Sequence, residues 1–292
     1  MTVSGAARRA AVLGHPVAHS LSPVLHRTAY AQLALDWQYD AVDVEPHDLA
    51  RFMTGLGPEW VGLSLTMPLK ETVLDLLDVV EPRAARVRAV NTVVFDGSRR
   101  RGFNTDITGL VGVLRAADGL ADEPFSALVV GAGATARSAC AALAECGAAD
   151  VAVAARRDDA VVGLVELARS FDLPAAPVAW PLDPRDLTRD VVISTVPADA
   201  VSQVDLPPAP GLLVDVLYHP WPTPLASRWE RAGGAVVGGL ELLIGQAVEQ
   251  VELMTGRRPD VELMRRAGQE ALRERSGAPS AQADQRPRRS TP

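Results

Sequence analysis

A single lysine, two asparagines and two cysteines are all that the 292 residues contain of those three types. The other 28 basic side chains are arginines, and aromatic residues make up only 4% of the chain. Each scarcity excludes something. Cys140 and Cys146 lie six residues apart on different faces of one helical pattern. They form neither a metal clip nor a disulfide framework, so they read as helix filler in a reducing, cytoplasmic setting, and no metal site is expected. No apolar run reaches the roughly 18 to 20 residues of a membrane-spanning helix. The opening MTVSGAARRAAVLGHP carries a paired arginine, but its apolar stretch stops at Gly14 and Pro16. That is too short for a signal-peptide core and fits a first strand. The formal net charge is −7 and the arginines are scattered, which argues against nucleic acid as the main partner because phosphate binding needs a basic face.

What is present is a soluble, two-domain composition: 48% hydrophobic, 22% charged, and longer than one small core fills. The first hundred residues alternate short strands with amphipathic helices. RAAVLG, WQYDAVDV and EWVGLSLT read as strands, and SPVLHRTAYAQLAL as a helix with Ser22 placed to cap it and Pro23 in its first turn. MPLKETVLDLLDVV, residues 67–80, reads as a second helix. AVNTVVF and RRGFNTD are strands joined by a turn at Asp96-Gly97, and ITGLVGVLRAA begins a helix leaving this domain. From Ser126 onward, strands built almost wholly of Val, Leu, Ile and Ala imply a parallel sheet covered on both faces. Two helices follow the last strand. The expected division is 1–108, an α/β substrate domain; 109–239, a Rossmann-type parallel-sheet dinucleotide domain; 240–275, helices returning to the first domain; and 276–292, a Ser-, Pro- and Ala-rich tail expected to be disordered. A cleft is expected between the two α/β domains.

VVGAGATA places Gly131, Gly133 and Ala136 at G-x-G-x-x-A spacing between a strand and a helix. Gly131 permits the tight turn, Gly133 the approach of a pyrophosphate, and Ala136 close helix–strand packing, with the helix N-terminus facing the negative charge. The next strand ends AARRDD, so Arg156 and Arg157 stand where an NAD site usually places a carboxylate. A guanidinium binds a 2′-phosphate that a carboxylate repels, so NADP is expected over NAD. One of the two arginines is expected to be solvated, with Asp158 or Asp159 capping the following helix.

Lys70 in SLTMPLK and the two asparagines, in AVNTV and GFNTD, are the scarce residues. Arginine is a permanent cation, whereas a lysine ammonium can be made to yield its proton. Together with these, GHPVAHSLSPVLH, GFNTDITG, GAGATA, DVLYHPWPTPLA and GGLELLIGQAVEQVELMTG resemble, in order, the motifs of the shikimate dehydrogenase family across nearly the whole chain except the tail. The resemblance implies reversible, NADP-linked interconversion of 3-dehydroshikimate and shikimate on the route to aromatic amino acids. The partners it implies are small molecules, with no nucleic acid and no membrane, and a monomer or homodimer. A quinate or aminoshikimate dehydrogenase of the same fold, or a non-catalytic ligand-sensing paralogue, are the alternatives; a sensor has no need of the Lys70 and Asp106 pair.

The resemblance also implies roles. Ser20 and Ser22 would bind the substrate carboxylate, Tyr218 would close near it, and Thr66, Asn91 and Gln246 would contact the ring hydroxyls. Lys70 and Asp106 would straddle the hydroxyl that is oxidised, Lys70 either carrying the proton or orienting the oxygen. Gly131, Ala132, Gly133, Ala134, Arg156, Arg157 and Val196 would line the cofactor site, with Gly239 near the nicotinamide. The chain departs from the family in several places. Ser64 stands where an asparagine is usual on the substrate side, Ala134 where a third glycine is common, and the stretches ARR and STV replace Asn-Arg-Thr and Asn-Ala-Thr. His15, His19 and His26 cluster near the substrate loop without a catalytic role.

Overall fold

The computed structural model describes residues 8–275 apart from 118, 119, 121 and 122; the tail expected to be disordered lies outside the described residues. The first half runs β1 (Arg8–Gly14), α1 (Ser22–Gln32), β2 (Trp37–Asp43), α2 (Leu49–Thr54), β3 (Trp60–Leu65), α3 (Leu69–Thr72), β4 (Val79–Val80), α4 (Pro82–Arg86), β5 (Thr92–Asp96), β6 (Arg99–Phe103) and α5 (Thr105–Ala116). Its six strands form one mixed sheet in the order β2-β1-β3-β5-β6-β4. β1 pairs in parallel with β2 and β3, while β3, β5 and β6 run antiparallel through the hairpin at Asp96-Gly97. Alternation along β1 divides the core. Ala10 and Val12 pack with residues of α1, α9 and α10 (the last two bounded below), whereas Ala11 and Leu13 pack with Leu49, Met53 and Leu69 on the other face.

The second half runs β7 (Ser126–Val130), α6 (Ala134–Glu145), β8 (Asp150–Ala154), α7 (Asp158–Ser170), β9 (Ala175–Pro177), β10 (Val191–Ser194), β11 (Leu212–Asp215), α8 (Pro224–Arg231), β12 (Ala235–Gly238), α9 (Gly239–Thr255) and α10 (Val261–Arg275). Its strands lie in the order β12-β11-β10-β7-β8-β9 and every pairing is parallel. Order reverses between β7 and β10, so the crevice at their carboxyl ends is the place where such a sheet takes a ligand. Gly147, at φ +81°, ends α6 as its position in the sequence suggests. Cys140 is buried and Cys146 half-buried, both free, and burial pushes the Cys140 thiol up to about 12.

α9 joins the two halves. Leu242 packs into the core of the second sheet, whereas Leu243, Ile244 and Val248 pack into the core of the first. α5 crosses α9 at two glycines: a Cβ on Gly245 would lie 2.9 Å from Gly109 Cα, and one on Gly109 equally close to the Leu242 carbonyl. That close approach brings Asp106 on α5 next to Gln246 on α9. The expected boundary after residue 108 falls inside α5. No helix among the described residues is long and apolar enough to cross a membrane.

Three local expectations are corrected. Residues 67–80 do not form one helix: α3 ends at Thr72, a 3-10 turn covers Val73–Leu76, and Val79–Val80 pairs with β6. The Lys70 carbonyl, which would accept from Leu74 in a continuing helix, accepts instead from the Val90 N–H at 2.8 Å. Ser22 does not cap α1. Leu21 occupies that position, and the Ser22 N–H itself donates to Ser20 Oγ at 3.2 Å. Neither Asp158 nor Asp159 caps α7: Arg157 is the cap residue, without a side-chain bond, and the two carboxylates sit in the first turn, where the helix dipole favours them.

Candidate active site

A cavity of about 390 Å³ opens between the two sheets. Ser20, Ser22, Ser64, Thr66, Lys70, Asp106, Tyr218, Gly239 and Gln246 all line it, contributed by segments far apart in sequence. Lys70 projects from the short α3 because β3 ends at Leu65 and Leu69 anchors the turn in the core. Its Nζ donates to Asp106 Oδ2 at 2.5 Å, with only 13% of the lysine side chain and 3% of the aspartate exposed.

Asn91 is the exception among the expected substrate contacts. It is buried behind the cavity wall and organises it. The Thr105 N–H donates to Asn91 Oδ1 at 2.8 Å, which fixes the amide, because a backbone N–H only donates. Asn91 Nδ2 therefore faces Asp106 Oδ1 at 2.9 Å and Gln246 Oε1 at 2.8 Å. Both oxygens of Asp106 are thus held, and the Gln246 amine is left free to donate into the cavity. An aspartate at position 91 could not donate to Asp106, which accounts for one of the two asparagines. The other, Asn104, caps α5 by accepting from the Ile107 N–H.

Burial raises the Tyr218 phenol above its ordinary range. His219, beside it, stacks on His19 of the β1–α1 loop with ring centroids 6.2 Å apart. At the same loop, the Arg275 guanidinium donates to the carbonyls of His19 (2.7 Å) and Ser20 (3.2 Å). His219 and Arg275, with Thr135 and Gln250 on the cavity wall, were not singled out in the sequence. Only the spacing of Gln250 one turn after Gln246 could have signalled one of them.

A second opening, about 490 Å³, lies at the carboxyl ends of β7, β8 and β10. Gly131, Ala132, Gly133, Arg156, Arg157 and Val196 line it, with Trp180, which carried no sequence signal. Gly131 sits at φ +113°, where a Cβ would also collide with the Thr195 hydroxyl. A Cβ on Gly133 would meet nothing within 4 Å, so that glycine borders open space at the start of α6. Arg156 and Arg157 are exposed; Arg157 is 4.0 Å from Asp159, and Arg156 makes no ion pair among the described residues. Ala134 is the first residue of α6 and does not line the opening. Gly239 lines the cavity, and its lack of a Cβ has a packing cause, since one would collide with the Val216 carbonyl. Thr135 faces the cavity and Gly133 the second opening, so the first turn of α6 borders both. Among the described residues no group of three His, Cys, Asp or Glu side chains is suited to a metal ion.

The chain that carries this buried lysine–carboxylate pair is similar to known proteins along nearly its whole length. The family model for the shikimate dehydrogenase substrate binding domain matches residues 12–93, and that for the shikimate 5′-dehydrogenase C-terminal domain matches residues 239–267. The shikimate dehydrogenase (NADP(+)) of Moorella thermoacetica is 36% identical over 284 residues, covering 93% of this chain and 96% of its own. That of Citrifermentans bemidjiense is 38% identical, covering 91% and 96%. Among solved structures, Mycobacterium tuberculosis shikimate dehydrogenase superposes with a TM-score of 0.81 at 39% identity, covering 90% of this chain and 98% of that one. Shikimate 5-dehydrogenase from Thermus thermophilus, in complex with NADP(H) and shikimate, does so at 0.80 and 35%, covering 91% and 100%. With relatives this similar along nearly its full length, the chain belongs to the shikimate dehydrogenase family.

Proposed function

We infer that the protein is an NADP-dependent oxidoreductase that interconverts 3-dehydroshikimate and shikimate. The observation that carries this reading is the Lys70–Asp106 pair, at 2.5 Å, on the wall of a cavity that shares the first turn of α6 with the dinucleotide crevice. NADP fits the residues present. Gly133 leaves room for a close backbone approach, the N-terminus of α6 favours a pyrophosphate, and Arg156 and Arg157 offer guanidinium groups to a 2′-phosphate. When bound, the nicotinamide supplies the acceptor or donor of the hydride.

The rest belongs to the side chains. Ser20 and Ser22 present hydroxyls to a carboxylate, with Tyr218 above them. Thr66 and the Gln246 amine present groups to ring hydroxyls. The alcohol that loses a hydride must also lose a proton, and Lys70 is placed to take it. The Asp106 oxygens accept one bond each, from Lys70 and from Asn91, which holds the carboxylate beside the lysine and leaves it further lone pairs with which to orient the reacting hydroxyl. Absorbance at the reduced-cofactor band, with shikimate and quinate each tested against NADP+ and NAD+, checks the reading. Shikimate with NADP+ is expected to be the best pair, and no turnover in any combination rejects it. Lys70→Arg is expected to bind shikimate with little change while kcat falls by roughly 10²- to 10⁴-fold, the range of positioned proton transfer; a near-unchanged kcat refutes that role.

A further inference from the structure

The substrate cavity has a polar floor made by Ser64 and Gln250, each about 3% exposed. Hydrogen-bond logic fixes every orientation there. The Asn91 carbonyl only accepts, so the Gln250 atom 3.3 Å from it is Nε2, which also donates to Thr92 Oγ1 at 3.0 Å. Gln250 Oε1 therefore faces Ser64. The single Ser64 proton goes to that oxygen at 2.9 Å, and Tyr39, 2.6 Å from Ser64 Oγ, must then be the donor in its bond. Behind this layer His26 is stacked on Tyr39, ring centroids 3.9 Å apart. Its Nδ1 is 2.9 Å from the Ser22 carbonyl, so the proton of the neutral ring is on Nδ1. Nε2 is then a bare acceptor, and it has no hydrogen-bond partner among the described residues. Every donor of the floor is committed to the protein. What remains on Ser64 Oγ and Gln250 Oε1 is acceptor capacity alone.

We propose that Ser64 and Gln250 are specificity-determining residues whose acceptor-only floor selects a ring bearing a hydroxyl or amino group at that place over a ring without one. This rests on the shikimate reading above. A methylene there would leave the remaining lone pair of each floor oxygen shielded from water without a donor, and an ether or keto oxygen would set acceptor against acceptor. An amide at position 64 would add a donor and relax the selection. Ser64 thus does more than shorten a side chain: it passes the Tyr39 proton chain on to Gln250.

The test is kcat/KM with NADP+ for shikimate and for its 4-deoxy and 5-deoxy analogues, which lack in turn the two hydroxyls that are not oxidised. In the unmodified protein one analogue is expected to lose roughly 10- to 100-fold, the effect of leaving buried polar groups unpaired. Replacing that same hydroxyl by an amine is expected to stay within about tenfold of shikimate. Gln250→Leu and Ser64→Ala should each bring the shikimate-to-deoxy ratio to within about threefold, and a ratio taken inside one variant cancels any general loss of activity or fold. Equal use of all three rings by the unmodified protein, rejection of the amine, or an unchanged ratio in both variants overturns the proposal. If the unmodified protein fails to oxidise shikimate, the shikimate reading has failed and the floor proposal falls with it. Good shikimate turnover with a flat ratio rejects the floor alone.

Discussion

His26 is fully buried against Tyr39 and Tyr30, and burial pulls its imidazole from the ordinary 6.5 down to about 4, only partly countered by its bond to the Ser22 carbonyl and by the neighbouring Gln250 side chain. Above pH 6.5 the ring is neutral in both the folded and the unfolded chain, and its contribution to stability is fully present. Between 6.5 and about 4 the unfolded chain binds a proton that the folded chain refuses, so stability falls as pH falls. At about 1.4 kcal/mol per pH unit, the loss across that window reaches about 3 kcal/mol. Asp215 and Glu249, whose carboxyls burial raises, act in the opposite direction as pH falls, because there the folded form binds the extra proton. Their effect is common to the wild-type protein and a His26 variant, and cancels in the difference. His26→Asn keeps a donor for the Ser22 carbonyl and cannot titrate. Urea unfolding at pH 6.5 and 4.5 should show wild type losing about 2 kcal/mol more than His26→Asn over that interval. NMR titration of the His26 ring protons should show no midpoint above pH 5. A folded-state midpoint at 6 or higher, or equal losses in the two proteins, refutes the reasoning.

The cofactor crevice yields three further expectations. Gly131→Ala forces a side chain into φ +113° and into Thr195, and should destabilise by roughly 1–3 kcal/mol in thermal or urea unfolding. Gly133→Val adds atoms only to open space, so stability should move by less than about 0.5 kcal/mol. Its KM for NADP+ should nonetheless rise at least tenfold, and an unchanged KM would place the pyrophosphate elsewhere. Arg156→Ala combined with Arg157→Ala should raise the KM for NADP+ and leave that for NAD+ nearly unchanged; if neither moves, the guanidinium groups do not read the 2′-phosphate.

Much of this protein was written locally. Runs of Val, Leu, Ile and Ala in β7, β8, β10 and β11 can only be covered on both faces, and every pairing of that sheet is parallel. The turn at Gly131 and the helix stop at Gly147 follow from backbone conformations that glycine adopts without strain. Where neighbours in space are distant in sequence, local pattern was a poor guide. Residues 67–80 have a helical pattern, yet Val90 captures the Lys70 carbonyl and β6 takes up Val79–Val80 as a strand. The three-residue β9 was too short to carry a period at all.

The site divides in the same way. Residue types pointed to the chemistry: one lysine where arginine is otherwise universal, two asparagines, and two arginines at the end of β8. Tertiary structure decided what each one touches. Lys70 meets Asp106 across 36 positions, Asn91 meets Gln246 across 155, and Ser64 meets Gln250 across 186. Helical and strand periods fix only which face a side chain takes. Which group it finds there depends on how α5 and α9 cross at Gly109 and Gly245, an approach set by packing between segments more than a hundred residues apart.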